Sequence, residues 1–196
     1  MKILFTTALI PSFYEQRRLE YIESFDTISN FFTSEDIKIL ECYSQKTKSF
    51  LDDFICEDIF FSETNREIRN LGVKEALAIK AFIDQTDLDD NEIIVKLTGR
   101  YKLTSNYIIE EIYKNPEIDA FVRSGTGPQY FTGFFAMRFL HFKTFFRSLD
   151  LEHMEKNMIN IEAELFRFLE KEGIKKIVYD RIDVFSNINN TDKVNW

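Results

Sequence analysis

The sequence predicts an α/β fold of three layers, with helices on both faces of a mixed, mainly parallel central sheet. Short apolar runs alternate with amphipathic segments from the start of the chain, an order typical of parallel strands joined by helical crossovers. The early runs are nearly continuous in apolar residues, as expected of strands buried on both faces. Later, two strand-like runs follow one another directly, which indicates mixed additions to the sheet.

Seven apolar runs predict the strands, and six segments with helical spacing or length predict the helices and helical turns. The predicted strands are 2–10, 37–41, 58–63, 92–97, 119–124, 131–137 and 175–185. The predicted helical segments are 15–32, 49–55, 72–84, 105–114, 141–150 and 158–172. The order is therefore β-α-β-α-β-α-β-α-β-β-α-α-β.

Two of these helices have a buried face that the spacing of apolar residues defines. In segment 15–32 the predicted buried residues are Leu19, Ile22, Phe25 and Ile28. In segment 72–84 they are Val73, Ala76, Ile79 and Ile83, with Leu77 and Phe82 alongside. Both faces are expected to pack on the sheet.

Composition sets broad limits on the class of protein. The 196 residues suit a single domain, 1–196, with a polar tail from about residue 186. A net charge of -8 argues against non-specific binding of nucleic acid. No run approaches the roughly 18 apolar residues of a membrane span. Cys42 and Cys56 lack metal-binding spacing, and we expect reduced thiols in a cytoplasmic protein.

Polar residues follow several of the predicted strands, at the point where each strand ends. Ligands of open α/β sheets bind outside the carboxyl ends of the strands. The residues at these ends are Thr6 and Thr7, Glu41, Glu63 to Asn65, and Thr98 to Tyr101. Any one of them alone is explained by a capped turn, but four groups along one edge predict a binding site.

The fourth strand ends in KLTGRY, which has the features of an anion site. Gly99 allows the backbone to approach a ligand closely, and the planar fork of Arg100 suits two phosphate oxygens. Two alternatives stay open here. Arg100 either meets an anion or pairs with a structural acid, and Lys96 either joins it or turns towards a carboxylate inside the protein.

Several strings, in this order, resemble the GT-A class of nucleotide-sugar glycosyltransferases. Within that class the chain resembles the small enzymes that build bacterial surface polysaccharide or decorate large-virus capsids. The strings are KILFTTALI, IKILE, NLGVKEA, YFTGFFAMR, NIEAELFRFL and KKIVYDRIDVF, and together they extend over nearly the whole chain. The resemblance implies the GT-A fold, a Rossmann-like arrangement of three layers.

The resemblance also implies roles for the candidate residues. Donor-binding residues would be Thr6, Thr7, Glu41, Asn70, Gly72, Glu75, Lys96, Thr98 and Gly99. Acceptor-binding residues would be Tyr101, Tyr130, Thr132 and Gly133, although Tyr130 and Phe131 are equally explained as core. Arg100 would neutralise the diphosphate, and Glu162 would be the general base.

Glu162 is preferred over Glu164 as the base because residues two apart on a helix face different directions. Only one of the two is therefore expected to point into a cleft. Asp150, Asp180 and Asp183 are lesser candidates.

One departure from the GT-A pattern concerns metal binding. These enzymes usually place Asp-x-Asp at the end of the fourth strand, where it holds a divalent metal under the diphosphate. Here Thr98, Gly99 and Arg100 occupy that place, whereas Asp87-Leu88-Asp89 precedes the strand and is expected in a solvated loop. The resemblance implies Mn²⁺ or Mg²⁺, but the missing motif favours a metal-independent enzyme.

The expected function is transfer of a sugar from a nucleotide diphosphate donor, a UDP-sugar first, to a glycan or glycolipid acceptor. One alternative is a catalytically silent subunit that binds nucleotide sugars or assists assembly. Another is a nucleotidyltransferase, which normally has a glycine-rich first loop with Lys or Arg. TTALIPSFYEQRR lacks the glycines but contains Arg17 and Arg18. The oligomeric state stays open.

Overall fold

The computed structural model describes residues 1–62, 67–182 and 184–186, and a large β-sheet forms its centre. The strands are β1 (Lys2–Thr7), β2 (Ile37–Glu41), β3 (Asp58–Phe61), β4 (Ile93–Thr98), β5 (Tyr101–Leu103), β6 (Ala120–Arg123), β7 (Phe134–Arg138), β8 (Lys176–Tyr179) and β9 (Val184–Ser186). Seven of them form one sheet in the order β3-β2-β1-β4-β7-β6-β8. The predicted residues Glu63 to Asn65, Asp183 and the tail from 187 onward lie outside the described residues.

Helices cover both faces of this sheet. They are α1 (Tyr14–Ile28), α2 (Leu71–Gln85), α3 (Tyr107–Lys114), α4 (Phe139–Ser148), α5 (Leu151–Asn157) and α6 (Ile161–Lys171). Alternate residues of β1 separate two cores: Leu4 packs with α2, α4, α5 and α6, whereas Ile3 and Phe5 pack with α1 and α3. The predicted three-layer α/β fold is confirmed. No helix in the described part of the chain is long and apolar enough to cross a bilayer.

Strand direction makes the sheet mixed but mainly parallel, as predicted. β1 runs parallel to β2 and β4, and β8 runs parallel to β6. β7 alone among the seven strands is reversed, because it pairs antiparallel with both β4 and β6. The amino end of β7 therefore lies beside the carboxyl end of β4, where the Thr98 amide donates to the Gly133 carbonyl at 2.9 Å.

The end of the chain differs from the prediction. Segment 175–185, predicted as one strand, contains β8 in the main sheet and β9 in a separate two-stranded sheet with β5. Segment 158–172, predicted as one helix, begins only at Ile161, and α5 precedes it as an additional helix. The sequence does carry a signal for the first break, because the charged residues Asp180 and Arg181 follow β8 directly.

The predicted buried face of α1 is partly wrong. Phe25 and Ile28 are buried, but Ile22 is only partly buried and Leu19 is 58% exposed. The face that packs on the sheet instead centres on Tyr21 and includes buried polar residues. These are Arg17, Glu20 and Ser24. The pattern of apolar residues misled the prediction because it assigned polar residues to solvent.

The face of α2 agrees with its prediction. The four predicted residues and Phe82 are buried in the core that α4, α5 and α6 complete. Leu77, which the spacing places beside this face, lies at its edge and is 36% exposed. A helix with many apolar residues on one side is therefore the kind that periodicity predicts well.

The corrected face of α1 leads to a test of stability. Phe25 stacks on Phe54 with ring centroids 4.1 Å apart, so Phe25→Ala should lower the free energy of unfolding by about 3–5 kcal/mol. Leu19→Ala, on the same helix, should change it by less than about 0.5 kcal/mol. Urea unfolding of both variants measures the difference, and equal losses would contradict the assignment of the faces.

Candidate functional site

A cleft of about 450 Å³ lies at the carboxyl edge of β1, β2 and β4, which is within the usual size of small-molecule sites. The first turns of α2 and α6 and the start of β7 complete its wall. Eleven sequence-predicted residues line it: Thr6, Thr7, Asn70, Gly72, Glu75, Thr98, Arg100, Tyr101, Thr132, Gly133 and Glu162. The strand-end rule therefore placed the site at the correct edge of the sheet.

The charge of the cleft is opposite to that of the protein. Among the residues that the structure describes, four cationic side chains line it against two carboxylates, Glu75 and Glu162, which gives these residues a formal charge of +2. The whole chain has a net charge of -8. The cationic residues are Arg17, Arg69, Lys74 and Arg100. A positive cleft in an acidic protein attracts and concentrates anions.

Two of these cations, Arg17 and Arg100, influence one another. Arg17 extends from α1, is 6% exposed, and lies 6.0 Å from the ring centre of Tyr21. Burial, followed by the positive charge of Arg17, lowers the pKa of the Arg100 guanidinium, while Tyr21 and Glu20 act in the opposite direction. An anion bound beside both guanidinium groups would offset this repulsion and their desolvation.

Lys96 lies beneath the cleft, where its ammonium group joins three elements. It is 1% exposed. Its Nζ lies 2.7 Å from Glu75 Oε1 on α2, and it donates to Thr98 Oγ1 at 2.8 Å and to the Thr132 carbonyl at 2.7 Å. An ammonium has three N–H donors, and all three are used inside the protein. Lys96 thus supports the cleft and does not line it.

Glu75 links this buried group to β1. Its Oε1 also accepts a hydrogen bond from Thr6 Oγ1 at 3.1 Å. The carboxylate is therefore oriented by Lys96 and Thr6 together, while its side chain keeps 21% exposure to the cleft. Glu75 is a lining residue with one oxygen committed to the protein.

Glu41 is also turned inward. It is fully buried and accepts hydrogen bonds from Thr7 Oγ1 at 2.7 Å and from the amides of Leu9, Tyr43 and Ser44 at 2.9–3.1 Å. These bonds hold the loops after β1 and β2. The residue expected to approach the nucleotide therefore shapes the edge of the cleft without lining it.

Asn70 joins the start of α2 to the turn before α6. Its Oδ1 accepts from the Gly72 amide at 2.9 Å, and its Nδ2 donates to the carbonyls of Met154 and Ile159 at 3.1 and 2.9 Å. A Cβ added to Gly72 would lie 3.2 Å from the Ile161 Cβ. Asn70 and Gly72 thus bring the two helix N-termini together at the cleft.

Two other glycines are explained by aromatic packing. A Cβ on Gly99 would lie 2.7 Å from Tyr21 Cδ1, and a Cβ on Gly133 would lie 2.7 Å from Tyr101 Cε2. Gly133 lines the cleft beneath the perpendicular ring pair of Tyr101 and Phe131, whose centroids are 5.1 Å apart. Gly99, in contrast, does not line it. Its small size serves the packing of α1 against the sheet.

Glu162, in the first turn of α6, faces the cleft, and Glu164 does not line it. Glu162 Oε1 accepts from Thr132 Oγ1 at 2.7 Å, whereas Glu164 pairs with Arg167 along the helix. The charge of Glu162 also acts on Tyr101, which lines the same cleft. The pKa of Tyr101 is raised, chiefly by burial and in part by the negative charge of Glu162. The two acids diverge as their spacing predicted.

Tyr130 points away from the cleft. Its hydroxyl donates to Glu170 Oε1 at 2.8 Å, its ring packs on Phe166, and burial raises its pKa to about 12. The expected placement of Tyr130 at the acceptor side is therefore wrong, and the core alternative holds. The neighbouring Phe131 lines the cleft instead.

Comparison with known proteins adds to this geometry. No family model matches the sequence. No curated protein matches it either. Solved structures do match. A structure assigned as a nucleotide-diphospho-sugar transferase from Desulfovibrio desulfuricans G20 has a TM-score of 0.58 and 10% identity, over 91% of this chain and 80% of that one. The chain has a GT-A-like fold.

Two further similar structures belong to two different classes of transferase. A cytidylyltransferase from Leptospira borgpetersenii has a TM-score of 0.55 and 13% identity, over 97% of this chain and 82% of that one. A glycosyltransferase involved in glycosylation of the major capsid of PBCV-1 has a TM-score of 0.53 and 10% identity, over 92% of this chain and 82% of that one. The fold is shared by sugar transferases and nucleotidyltransferases.

In the described part of the chain, no pair of acidic residues follows β4 to hold a metal there. Arg100 stands after β4, and Asp87 and Asp89 lie exposed in the loop before that strand, as predicted. Asp150 caps α5, and Asp180 is exposed. Within 1–62, 67–182 and 184–186, no group of three His, Cys, Asp or Glu residues is arranged for a metal ion.

The sequence interpretation missed several residues of the cleft. Arg69 and Lys74 flank the start of α2, and the Lys74 Nζ lies 6.0 Å from the ring centre of Tyr43. Arg17 was noted only as part of a basic pair with Arg18. The available signal was the spacing of Arg17 from Tyr21, four residues apart, which places both on the buried face of α1.

The buried ammonium of Lys96 gives a second test of stability. Lys96→Met leaves the Glu75 carboxylate without its cation, and we expect the free energy of unfolding to fall by about 3–5 kcal/mol. Lys102→Met breaks a more exposed pair with Glu23 and should cost less than about 1 kcal/mol. Urea unfolding measures both, and a similar cost for the two variants would refute the central role of Lys96.

Proposed function

We propose that this chain transfers a sugar from a nucleoside diphosphate donor, a UDP-sugar, to a hydroxyl group of a glycan or glycolipid. The observation that carries the proposal is that cationic Arg17 and Arg100 share one cleft with the carboxylate of Glu162. Transfer of a glycosyl group needs both functions, since a diphosphate must leave and a hydroxyl must lose its proton. The fold of the solved neighbours supports the choice of a nucleotide sugar.

In the proposed reaction the donor diphosphate lies beside Arg17 and Arg100. Guanidinium groups bind phosphate oxygens in pairs, and their charge acts strongly in a site shielded from water. These side chains would neutralise the leaving group where other GT-A enzymes use a metal. The proposal therefore includes a metal-independent donor site.

The acceptor hydroxyl attacks the anomeric carbon from the side opposite the diphosphate. A new C–O bond forms as the bond to the diphosphate oxygen breaks, and the bonding electrons leave with the diphosphate. Glu162 takes the hydroxyl proton, so the sugar is transferred with inversion. Thr132 already donates to Glu162 Oε1, which leaves Oε2 for that proton.

Donor binding gives the first test of this mechanism. Arg17→Ala and Arg100→Ala should each weaken binding of the preferred donor by about 10- to 100-fold, the value of one charge-assisted contact. Isothermal titration with a panel of UDP-, GDP- and dTDP-sugars, with and without EDTA, measures the effect. Arg18→Ala is the matched control, because Arg18 is adjacent but pairs with Glu15 on the surface.

Two results of that titration would count against the proposal. The first is the absence of binding to the whole panel at millimolar concentration. The second is binding that EDTA abolishes but that both arginine variants retain, since the donor would then depend on a metal.

The general base gives the second test. Glu162→Gln should lower kcat by about 10²- to 10⁴-fold with little change in donor affinity, because the amide cannot accept the hydroxyl proton. Glu164→Gln should leave kcat unchanged, since Glu164 does not line the cleft. Release of UDP in the presence of acceptor measures both rates. Equal background rates in the parent, in Arg100→Ala and in Glu162→Gln would favour a catalytically silent subunit.

A second candidate function is nucleotidyl transfer. Nucleotidyltransferases normally carry Lys or Arg in the first loop, and Arg17 follows the loop after β1 and is buried in the cleft. The fold shared with a cytidylyltransferase also favours this function. In that reaction a sugar phosphate attacks a nucleoside triphosphate and pyrophosphate leaves, so no hydroxyl needs a base. Pyrophosphate release from triphosphates and sugar phosphates, unaffected by Glu162→Gln, would establish this function instead.

A further inference from the structure

The turn between α5 and α6 contains an unusual backbone conformation. Met158 has φ 51° and ψ 42°, and it is the one non-glycine residue with positive φ that is found in the described part of the chain. This left-handed conformation at the end of a helix is normally occupied by Gly or Asn, because a Cβ there is sterically unfavourable. A methionine at this position requires an explanation.

Hydrogen bonds to neighbouring elements hold this turn in place. The Ile159 amide donates to the Met154 carbonyl at 3.0 Å, and Asn70 Nδ2 donates to the carbonyls of both residues. The Glu155 carboxylate also accepts from the Asn70 amide at 2.9 Å. Strained residues persist where the surroundings fix them in this way, and they concentrate at functional sites. The backbone of Met158 is thus held at one place, and its side chain extends from that fixed point.

That place is the mouth of the cleft. Met158 is 57% exposed, and Leu71, on the other side of the Asn70 junction, is 44% exposed. Both line the cleft, and we refer to these two residues as the apolar lip. Single exposed apolar residues are common. Two at the mouth of a positively charged cleft, one of them on a strained backbone, indicate a surface that a ligand covers.

We propose that the apolar lip binds an alkyl or acyl chain of the acceptor, so that the acceptor is a glycolipid and not a free glycan. The inference rests on the proposed function and names the acceptor class of that same site. The flexible thioether side chain of Met158 adapts well to a hydrocarbon chain.

Chain position assigns the lip to the acceptor. Met158 ends α5, and Glu162 follows four residues later in the first turn of α6. Leu71 begins α2, and its neighbour Gly72 packs against Ile161 of that same turn, so both residues of the lip lie near the general base. The cations assigned to the donor diphosphate, Arg17 and Arg100, come from α1 and from the turn after β4. A chain attached near the reacting hydroxyl therefore passes the lip as it leaves the cleft.

The test uses matched pairs of n-octyl and methyl β-glycosides of glucose, galactose and N-acetylglucosamine, below the micelle concentration. The parent should bind the octyl form of at least one sugar about tenfold more tightly than the methyl form, the gain from burying about two methylene groups. Met158→Gly and Leu71→Ser should reduce this ratio below about threefold. Isothermal titration without donor measures the affinities.

Met158→Gly is expected to fold at least as well as the parent, because glycine adopts this conformation without strain. Its thermal unfolding midpoint should be equal or higher, so a lost ratio cannot be assigned to unfolding. Leu140→Ser is the matched control. Leu140 is 43% exposed on α4, outside the cleft, and its replacement should leave the ratio unchanged.

Four results would overturn the inference. The octyl and methyl forms bind the parent equally, or the ratio survives in Met158→Gly, or Leu140→Ser lowers the ratio as much. An equal loss of UDP-sugar affinity in Met158→Gly would also overturn it, because the lip would then contact the donor. The glycosides are titrated without donor, and UDP-sugar affinity is measured in a separate titration. A lost preference for the octyl form can therefore be distinguished from a failure of the proposed donor binding.

Discussion

The buried ammonium group of Lys96 is the contact on which the cleft depends. It joins the end of β4 to α2 through Glu75 and to the start of β7 through the Thr132 carbonyl. Thr132 in turn holds Glu162, so a single cation positions both carboxylates of the cleft. Such a charge is stable at 1% exposure only because every donor has an acceptor.

The polar residues at this edge of the sheet have two different tasks. Lys96, Glu41 and Asn70 are committed to contacts inside the protein, where they fix loops and helix ends. Arg100 and Glu162 line the space that these contacts create. A sequence pattern does not separate the two groups, because both consist of polar residues that follow strands. Only the folded structure shows which of them face the cleft.

Much of the fold was predictable, because β1, β2 and β4 are continuous apolar runs followed by polar residues. Their parallel arrangement fixes the edge where Thr6 and Thr98 meet. The orientation of Tyr130 was not predictable, since it depends on Glu170, forty residues away. The placement of Arg17 in the cleft was not predicted either, because helical periodicity assigns charged residues to solvent, whereas this arginine lies on the buried face of α1.

The reversal of β7 has a consequence for how such a protein diversifies. Residues up to Arg100 supply the arginines assigned to the donor, whereas Thr132 and the start of α6 supply the groups assigned to the acceptor. The β6–β7 hairpin, 124–133, reaches the cleft only because β7 runs against β4. In the proposed reaction, changes of length or sequence in that hairpin would alter which acceptor is modified, while the parallel strands and the proposed donor site stay intact.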